Sequence, residues 1–255
     1  MPVVKPKISI SIVSHGQMDL IAHLLWDIQT HCRDLDIELI LTLNLVQEVP
    51  PDVSLYPFPI RILKNTVPKG FGANHNQAFQ AAAGQYFCVL NPDIRFDACP
   101  FSGLMACLND AAVGMAAPLV VSPGAVIEDS ARRFPTPLRI VQKLFRQPKN
   151  TDYRFQTEPQ AVDWAGGMFM LFPRLMFAKL SGFDERYFLY YEDVDICARL
   201  GLLGLKIVVN PATRVIHHAQ RSSHSNIKYL RWHLTSMMRF FSSPVYRQLR
   251  RLRWL

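Results

Sequence analysis

What most constrains this chain is an alternation. Between Lys7 and Asp93, apolar runs of strand length alternate with stretches of helical period. Lys7 to Val13 interleaves β-branched residues with serine and predicts a β-strand, which Ser14-His15-Gly16 breaks. Asp19 to Thr30 puts Leu20, Leu24 and Ile28 on one helical face, with Asp19 near the N-terminus. Ile37 to Leu43 is a second strand, and the four prolines between Val49 and Pro59 demand a loop. Arg61 to Leu63 is a short strand. Gly70-Phe71-Gly72 opens a helix that runs through Ala83 and stops at Gly84. Tyr86 to Leu90 is a buried-type strand halted by Asn91-Pro92-Asp93. A β-α-β-β-α-β order implies an α/β fold, a mainly parallel sheet flanked by helices. Ligands of such sheets bind at the carboxyl ends of the strands. The turns after Val13, after Leu43 and at Asn91-Pro92-Asp93 should therefore share one edge.

Beyond Asp93 the pattern loosens. Pro118 to Gly124 and Phe134 to Pro137 read as turn-rich, and Gln142 to Gln160 as a polar, basic, mobile loop. Val162 to Leu171 reads as a strand broken by Gly166 and Gly167. Tyr187 to Leu203 reads as a helix with an acidic start, and Lys206 to Val209 as a strand ended by Asn210-Pro211. Ile227, Leu230, Leu234, Met237, Met238 and Phe241 recur at steps of three and four, with Lys228, Arg231 and Arg239 off that stripe. This basic amphipathic helix either packs on the domain or lies on a membrane surface.

Composition excludes several classes. No run approaches the roughly 20 apolar residues of a membrane span, and the N-terminal run is too short for a secretory signal, so a cytoplasmic protein is expected. The five cysteines include no CxxC pair, which speaks against a disulfide framework or a zinc site. The net charge of +8 is concentrated late, because no Asp or Glu follows Asp195. A basic tail favours phosphates or an anionic surface. Nucleic acid is not expected as a partner, since no helix-turn-helix, zinc-finger or RNP signature is present.

Four groups carry candidate chemistry. Asn91-Pro92-Asp93 at a strand end is either a turn-forming Asx or a place where a hard cation meets a diphosphate. In Glu192-Asp193-Val194-Asp195, helical spacing puts Glu192 and Asp195 on one face and Asp193 on another. One carboxylate can then act on substrate while another anchors the helix start, and Arg199 suits a pair with Asp195. The His217-His218 pair, near Arg221, is structural or binds a phosphate or metal. The stretch Asn65 to Asn76, with Gly70 and Gly72 at a helix start, would let backbone N–H groups approach a phosphate, though it is neither a dinucleotide fingerprint nor a Walker A.

Taken in order, Asn65…Gly70-Phe71-Gly72…Asn76, Asn91-Pro92-Asp93, Trp164-Ala165-Gly166-Gly167, Gly182-Phe183-Asp184-Glu185, Glu192-Asp193…Arg199 and His217 resemble glycosyltransferase family 2, in particular its rhamnosyltransferase-like members. The resemblance spans Ile8 to about Phe241. It implies a GT-A fold over residues 1–225, with a basic amphipathic C-terminal extension over 226–255. It also implies an inverting, metal-dependent transferase using Mg²⁺ or Mn²⁺. Asp93 would ligate the metal, with His217 completing the metal or diphosphate site, and Asn91 stands where many members have an Asp. Asp193 corresponds to the catalytic base. Gly166 and Gly167 would let sugars approach the backbone, and Trp164 and Glu192 would face the acceptor. Ser14, His15, Asn44, Asn65, Gly70, Gly72, Asn76, Asn91 and Asp93 form the expected donor side. Two departures stand out: Leu43-Asn44 replaces the usual acidic pair at the nucleoside, and Ser14-His15-Gly16 replaces a common Tyr-Asn.

The implied partners are a dTDP- or UDP-sugar, with dTDP-rhamnose first and UDP-galactofuranose as the alternative, and a polyprenyl-diphosphate-linked saccharide in cell-surface polysaccharide synthesis. The expected location is the inner face of the cytoplasmic membrane, held peripherally on its anionic surface. A catalytically inactive scaffold of the same fold is the competing reading, motivated by Asn91 and Leu43.

Overall fold

The computed structural model describes residues 7–46, 49, 51–145, 151–218 and 227–252. Its first half follows the expected alternation: β1 (Lys7–Ser14), α1 (Met18–His31), β2 (Asp36–Leu43), β3 (Ile60–Lys64), α2 (Phe71–Ala81) and β4 (Tyr86–Leu90). Then come β5 (Ile94–Arg95), α3 (Phe101–Cys107), β6 (Val113–Val121), β7 (Ala131–Arg132) and α4 (Pro137–Phe145). The order continues with β8 (Gln160–Val162), β9 (Trp164–Ala165), β10 (Phe169–Pro173) and α5 (Arg174–Lys179). It closes with α6 (Glu192–Leu202), β11 (Lys206–His217), α7 (Ile227–Ser242) and α8 (Pro244–Arg251).

Nine of the described strands form one sheet in the order β3-β2-β1-β4-β10-β6-β11-β5, with β8 also on β11. The β3-β2-β1-β4 half and the β6–β11 pair are parallel. β10 enters antiparallel between β4 and β6 and joins the halves. Ser14 is in register with Leu43 and Ile12 with Leu90, so the three strand-end turns share one edge, as the alternation implied.

Both sheet faces are covered, which explains the serines of β1. Ile8, Ile10 and Ile12 pack on one face with Leu24 and Ile28 of α1. Ser9 and Ser11 are also fully buried. Ser9 Oγ donates to Glu38 and accepts from the Gly84 N–H, and Ser11 Oγ lies 2.8 Å from His75 Nδ1. A buried hydroxyl is tolerated when it is hydrogen-bonded.

Four sequence expectations change. Pro118 to Val121 is not a turn but the end of the wholly buried β6. Pro118 is opposite Asn210, where the β11 register shifts, so its missing N–H falls at a bulge. For the same reason β11 does not end at Asn210-Pro211 but continues to His217. The stretch expected to be a loop from Gln142 begins inside α4, and residues 146–150 lie outside the described residues, as does Arg221. The helix expected from Tyr187 starts at Glu192, because Tyr190 and Tyr191 adopt left-handed backbone angles, φ 69° and 68°.

The C-terminal helices pack on the domain. α8 lies against α6, and Phe240, Tyr246 and Leu249 join the core on that side of the sheet. α7 holds the segment before α6: Ser236 Oγ donates to Leu189 O at 2.9 Å, Trp232 stacks on Phe188, and His233 meets the rings of Tyr190 and Tyr191. Two successive left-handed non-glycine residues cost about 1–2 kcal/mol each, and these contacts offset that strain.

Candidate active site

The site forms where the β4 turn meets the β9–β10 connection and the start of α6. The Asn91 N–H donates to Met168 O at 2.9 Å, and one residue earlier the Gly167 N–H donates to Asp193 Oδ2 at 3.2 Å. These bonds bring Asn91-Pro92-Asp93 and Asp193 to one strand edge. Asp193 Oδ1 also accepts from the Val194 N–H at 2.8 Å. The carboxyl is half-buried. Burial lifts its pKa above the usual range, and the two N–H donors and the Arg132 charge only partly counter this. A carboxylate raised in this way is better matched to accepting a proton near neutral pH.

Its neighbours differ. Glu192 is 4 % exposed, and its Oε2 has no partner. Burial and the adjacent Asp193 push its pKa well up. This places Glu192 away from the solvent-facing acceptor role expected of it. Asp195 pairs with Arg199 at 2.7 Å, the expected i,i+4 contact, and the same guanidinium donates to Leu180 O and Gly182 O.

Asp93 follows β4, and the β5 residues after it are clamped: Arg95 pairs with Asp27 of α1, which also accepts from the Phe96 N–H. His217, last in β11, sits between two carboxylates. Its Nε2 is 3.3 Å from Asp93 Oδ2 and its Nδ1 2.8 Å from Glu128 Oε2. Burial opposes charging of this ring, but the two hydrogen bonds outweigh it and lift its pKa to about 9. A neutral imidazole has one N–H and cannot donate to both carboxylates. The pair therefore wants either an imidazolium or a cation between His217 and Asp93. Asp93 Oδ1 is buried without a partner, which also suits a cation. Among the described residues no three or more His, Cys, Asp or Glu side chains form a metal cage. Mg²⁺ or Mn²⁺ binding through one or two protein ligands plus phosphate oxygens needs no such cage. The residues present fit that mode.

On the expected donor side, Asn44, Asn65 and Asn74 form a buried amide network. Asn65 Nδ2 donates to Asn44 and Asn74, both at 2.7 Å, and Asn44 Oδ1 accepts from the Lys69 N–H. Asn44 Nδ2 lies 2.8 Å from His15 Nε2, and Ser14 Oγ accepts from the Gln17 N–H. Thus Ser14, His15, Asn44 and Asn65 do come together at the strand edge.

Gly70, Gly72 and Asn76 serve packing instead. A Cβ on Gly70 would stand 2.6 Å from Phe188 O, and one on Gly72 2.6 Å from Phe183 Cβ. The Phe71 N–H is already bonded to Phe188 O. Asn76 bonds Phe183 in both directions and reaches Glu185. The phosphate cradle expected at this helix start is therefore filled by the 183–188 segment. Gly166 and Gly167 are similarly crowded, by Met168 Cε at 2.8 Å and Phe71 Cζ at 3.0 Å.

With this geometry in place, the relatives are informative. No family model matches the chain. It is 28 % identical to rhamnosyltransferase WbbL of Escherichia coli (strain K12) over 249 residues, covering 91 % of this chain and 92 % of the relative. It is 29 % identical over 213 residues to N-acetylglucosaminyl-diphospho-decaprenol L-rhamnosyltransferase of Mycobacterium tuberculosis (strain CDC 1551 / Oshkosh), covering 73 % of this chain and 68 % of that protein. The fold superposes on GalNAc-T7, solved with UDP, GalNAc and Mn²⁺, with a TM-score of 0.70 at 16 % identity; the match covers 94 % of this chain and 48 % of that one. It also superposes on the mannosyltransferase PcManGT of Pyrobaculum calidifontis, solved with GDP-Man and Mn²⁺, with a TM-score of 0.61 at 17 % identity, over 95 % and 67 % of the two chains. The chain is a GT-A-fold glycosyltransferase.

Three residues of this glycosyltransferase escaped the sequence reading. Glu128 reaches His217 because its N–H bonds Val120 O as the chain returns from β6. His75 is fully buried against Ser11, and burial, helped by the nearby His15, lowers its pKa to about 3. Its spacing four residues after Phe71, on the inner face of α2, was the available signal. Arg132 is paired with Trp164 across β7–β9, holds its guanidinium 5.5 Å from that ring, and bonds Asp129. Trp164 itself donates to Arg133 O. The Arg132 charge is felt at Asp193, and no local motif announced the arginine.

Proposed function

We propose that the protein is an inverting rhamnosyltransferase that moves a sugar from dTDP-rhamnose to a hydroxyl of a polyprenyl-diphosphate-linked saccharide, at the cytoplasmic face of the membrane. The observation that carries the reading is the pair of bonds at Gly167 and Met168, which hold Asp193 and the Asn91-Pro92-Asp93 turn at one edge. The rhamnosyl donor and lipid-linked acceptor are supported by what the two curated relatives are named for.

Asp193 accepts the proton of the acceptor hydroxyl as that oxygen attacks the anomeric carbon, and a single displacement inverts the configuration. The positive charge developing on the sugar ring resembles that of glycoside hydrolysis. Asp93 would hold Mg²⁺ or Mn²⁺ with His217 beside it, and the cation would neutralise the charge of the departing diphosphate. His15, Asn44 and Asn65 orient the nucleoside. Arg132 and Trp164 flank the acceptor, an aromatic face for sugar and a guanidinium for its diphosphate.

Two measurements test this. In the first, dTDP with Mn²⁺ should raise the thermal midpoint, because a ligand of the folded state stabilises it. Asp93→Ala should abolish the metal-dependent part; an unchanged metal response would remove Asp93 from the metal site. In the second, Arg132→Ala should raise KM for a diphosphate-linked acceptor about tenfold or more, the size of a charge-assisted hydrogen bond. KM for the donor should stay the same. A loss of equal size with an acceptor lacking diphosphate would assign Arg132 to the sugar or to the base instead.

A further inference from the structure

We propose that the outward stripe of α7 is a docking surface for an anionic lipid leaflet. The helix has two faces. One holds the segment before the base, through Trp232, His233, Ser236 and Phe240. The other carries Ile227, Leu230, Leu234 and Met238, which are 84, 57, 43 and 62 % exposed. At about 100° per residue these four fall within one narrow stripe. Single exposed apolar side chains are ordinary, but a contiguous row of four on one helix marks a contact surface.

Charge names the occupant. Arg231 and Lys228 border the stripe and are exposed, and α8 presents Arg247, Arg250 and Arg251. No carboxylate follows Asp195 in the sequence. A second copy of this face would set like charges against each other, whereas an anionic leaflet neutralises them while the apolar row enters the headgroup boundary. No described helix is long and apolar enough to cross a membrane, so this contact is interfacial. The inference rests on the lipid-linked acceptor reading for its purpose. A helix that touches lipid on one face and braces Tyr190 and Tyr191 on the other keeps Asp193 near the plane in which such an acceptor is held.

The test is co-sedimentation of the whole protein with vesicles of phosphatidylcholine alone or with phosphatidylglycerol, without substrates. Binding should require phosphatidylglycerol, weaken with salt, and fall about tenfold or more in a Leu230→Gln, Leu234→Gln, Met238→Gln variant whose thermal midpoint is unchanged. Wild-type binding by that variant, equal binding to neutral vesicles, or no binding would overturn the proposal. So would a concentration-dependent dimer that the variant dissolves, which would assign the stripe to a second copy. Intact vesicle binding without sugar transfer would leave the docking standing and overturn the activity reading alone.

Discussion

Asp193→Asn should lower turnover by roughly two to four orders of magnitude, the usual contribution of a positioned general base. Asn is isosteric and its one carbonyl oxygen can still accept from the Gly167 or the Val194 N–H, which in Asp193 bond to different carboxylate oxygens, so the loss should lie in kcat rather than in donor affinity. The pH profile provides a second readout. Burial raises the Asp193 pKa, so wild-type kcat/KM should rise with pH through a limb above the ordinary carboxylate range, and the variant should lack that limb. Stability should move the other way. A carboxyl whose folded pKa is raised contributes stability at low pH and loses it as pH rises through the folded value. At neutral pH the substitution removes a charge beside Glu192 but leaves one of the two N–H donors facing an amide NH2; the two effects oppose each other, and the net change in stability should stay within about 2 kcal/mol. Near-wild-type turnover in a folded Asp193→Asn protein would end the base assignment.

Arg199→Ala should cost about 3–5 kcal/mol of folding stability, the range for breaking a buried ion pair from one side. Asp195 would keep a side chain only 3 % exposed with its partner gone, and Arg199 itself is 22 % exposed. The carbonyls of Leu180 and Gly182 would lose their donors as well. Those carbonyls belong to the turn where Gly182 has φ +68° and sits against Asn76. The pair thus ties α6 to the loop that also fills the space beside Gly70 and Gly72. For a chain of this size such a loss lowers the thermal midpoint by roughly 10 °C. Arg199→Lys should recover only part of it, because an ammonium lacks the fork that reaches a carboxylate and two carbonyls together. A midpoint within about 2 °C of wild type in Arg199→Ala would show that the network contributes little.

The first ninety residues were legible because their signals are local. Apolar period, proline placement and strand-ending Asx residues set β1 through β4 within a residue or two at most boundaries. The resemblance assigned roles to Asp93 and Asp193, which the same local signals marked only as candidates beside the Asp195–Arg199 pair. They failed where a distant partner changes the meaning of a residue. Pro118 reads as a turn until β11 is seen to bulge opposite it. Gly70 and Gly72 read as a phosphate loop until Phe188 and Phe183 are seen to occupy their space. Tyr190 and Tyr191 read as helix until α7 is seen to hold them left-handed.

The sequence by itself determined the α/β class and that the turns after Val13, after Leu43 and at Asn91-Pro92-Asp93 share one edge. Those follow from periodicities of two and 3.6 residues and from turn chemistry. Only the tertiary structure decided which side chains act together. Glu128 meets His217 from 89 residues away, and Gly167 meets Asp193 from 26. It also decided that α7 divides into a face that braces the segment before α6 and a face left in solvent. A long-range contact leaves no local period in the chain, so burial, pKa and partner at these residues emerge only when the sheet is assembled.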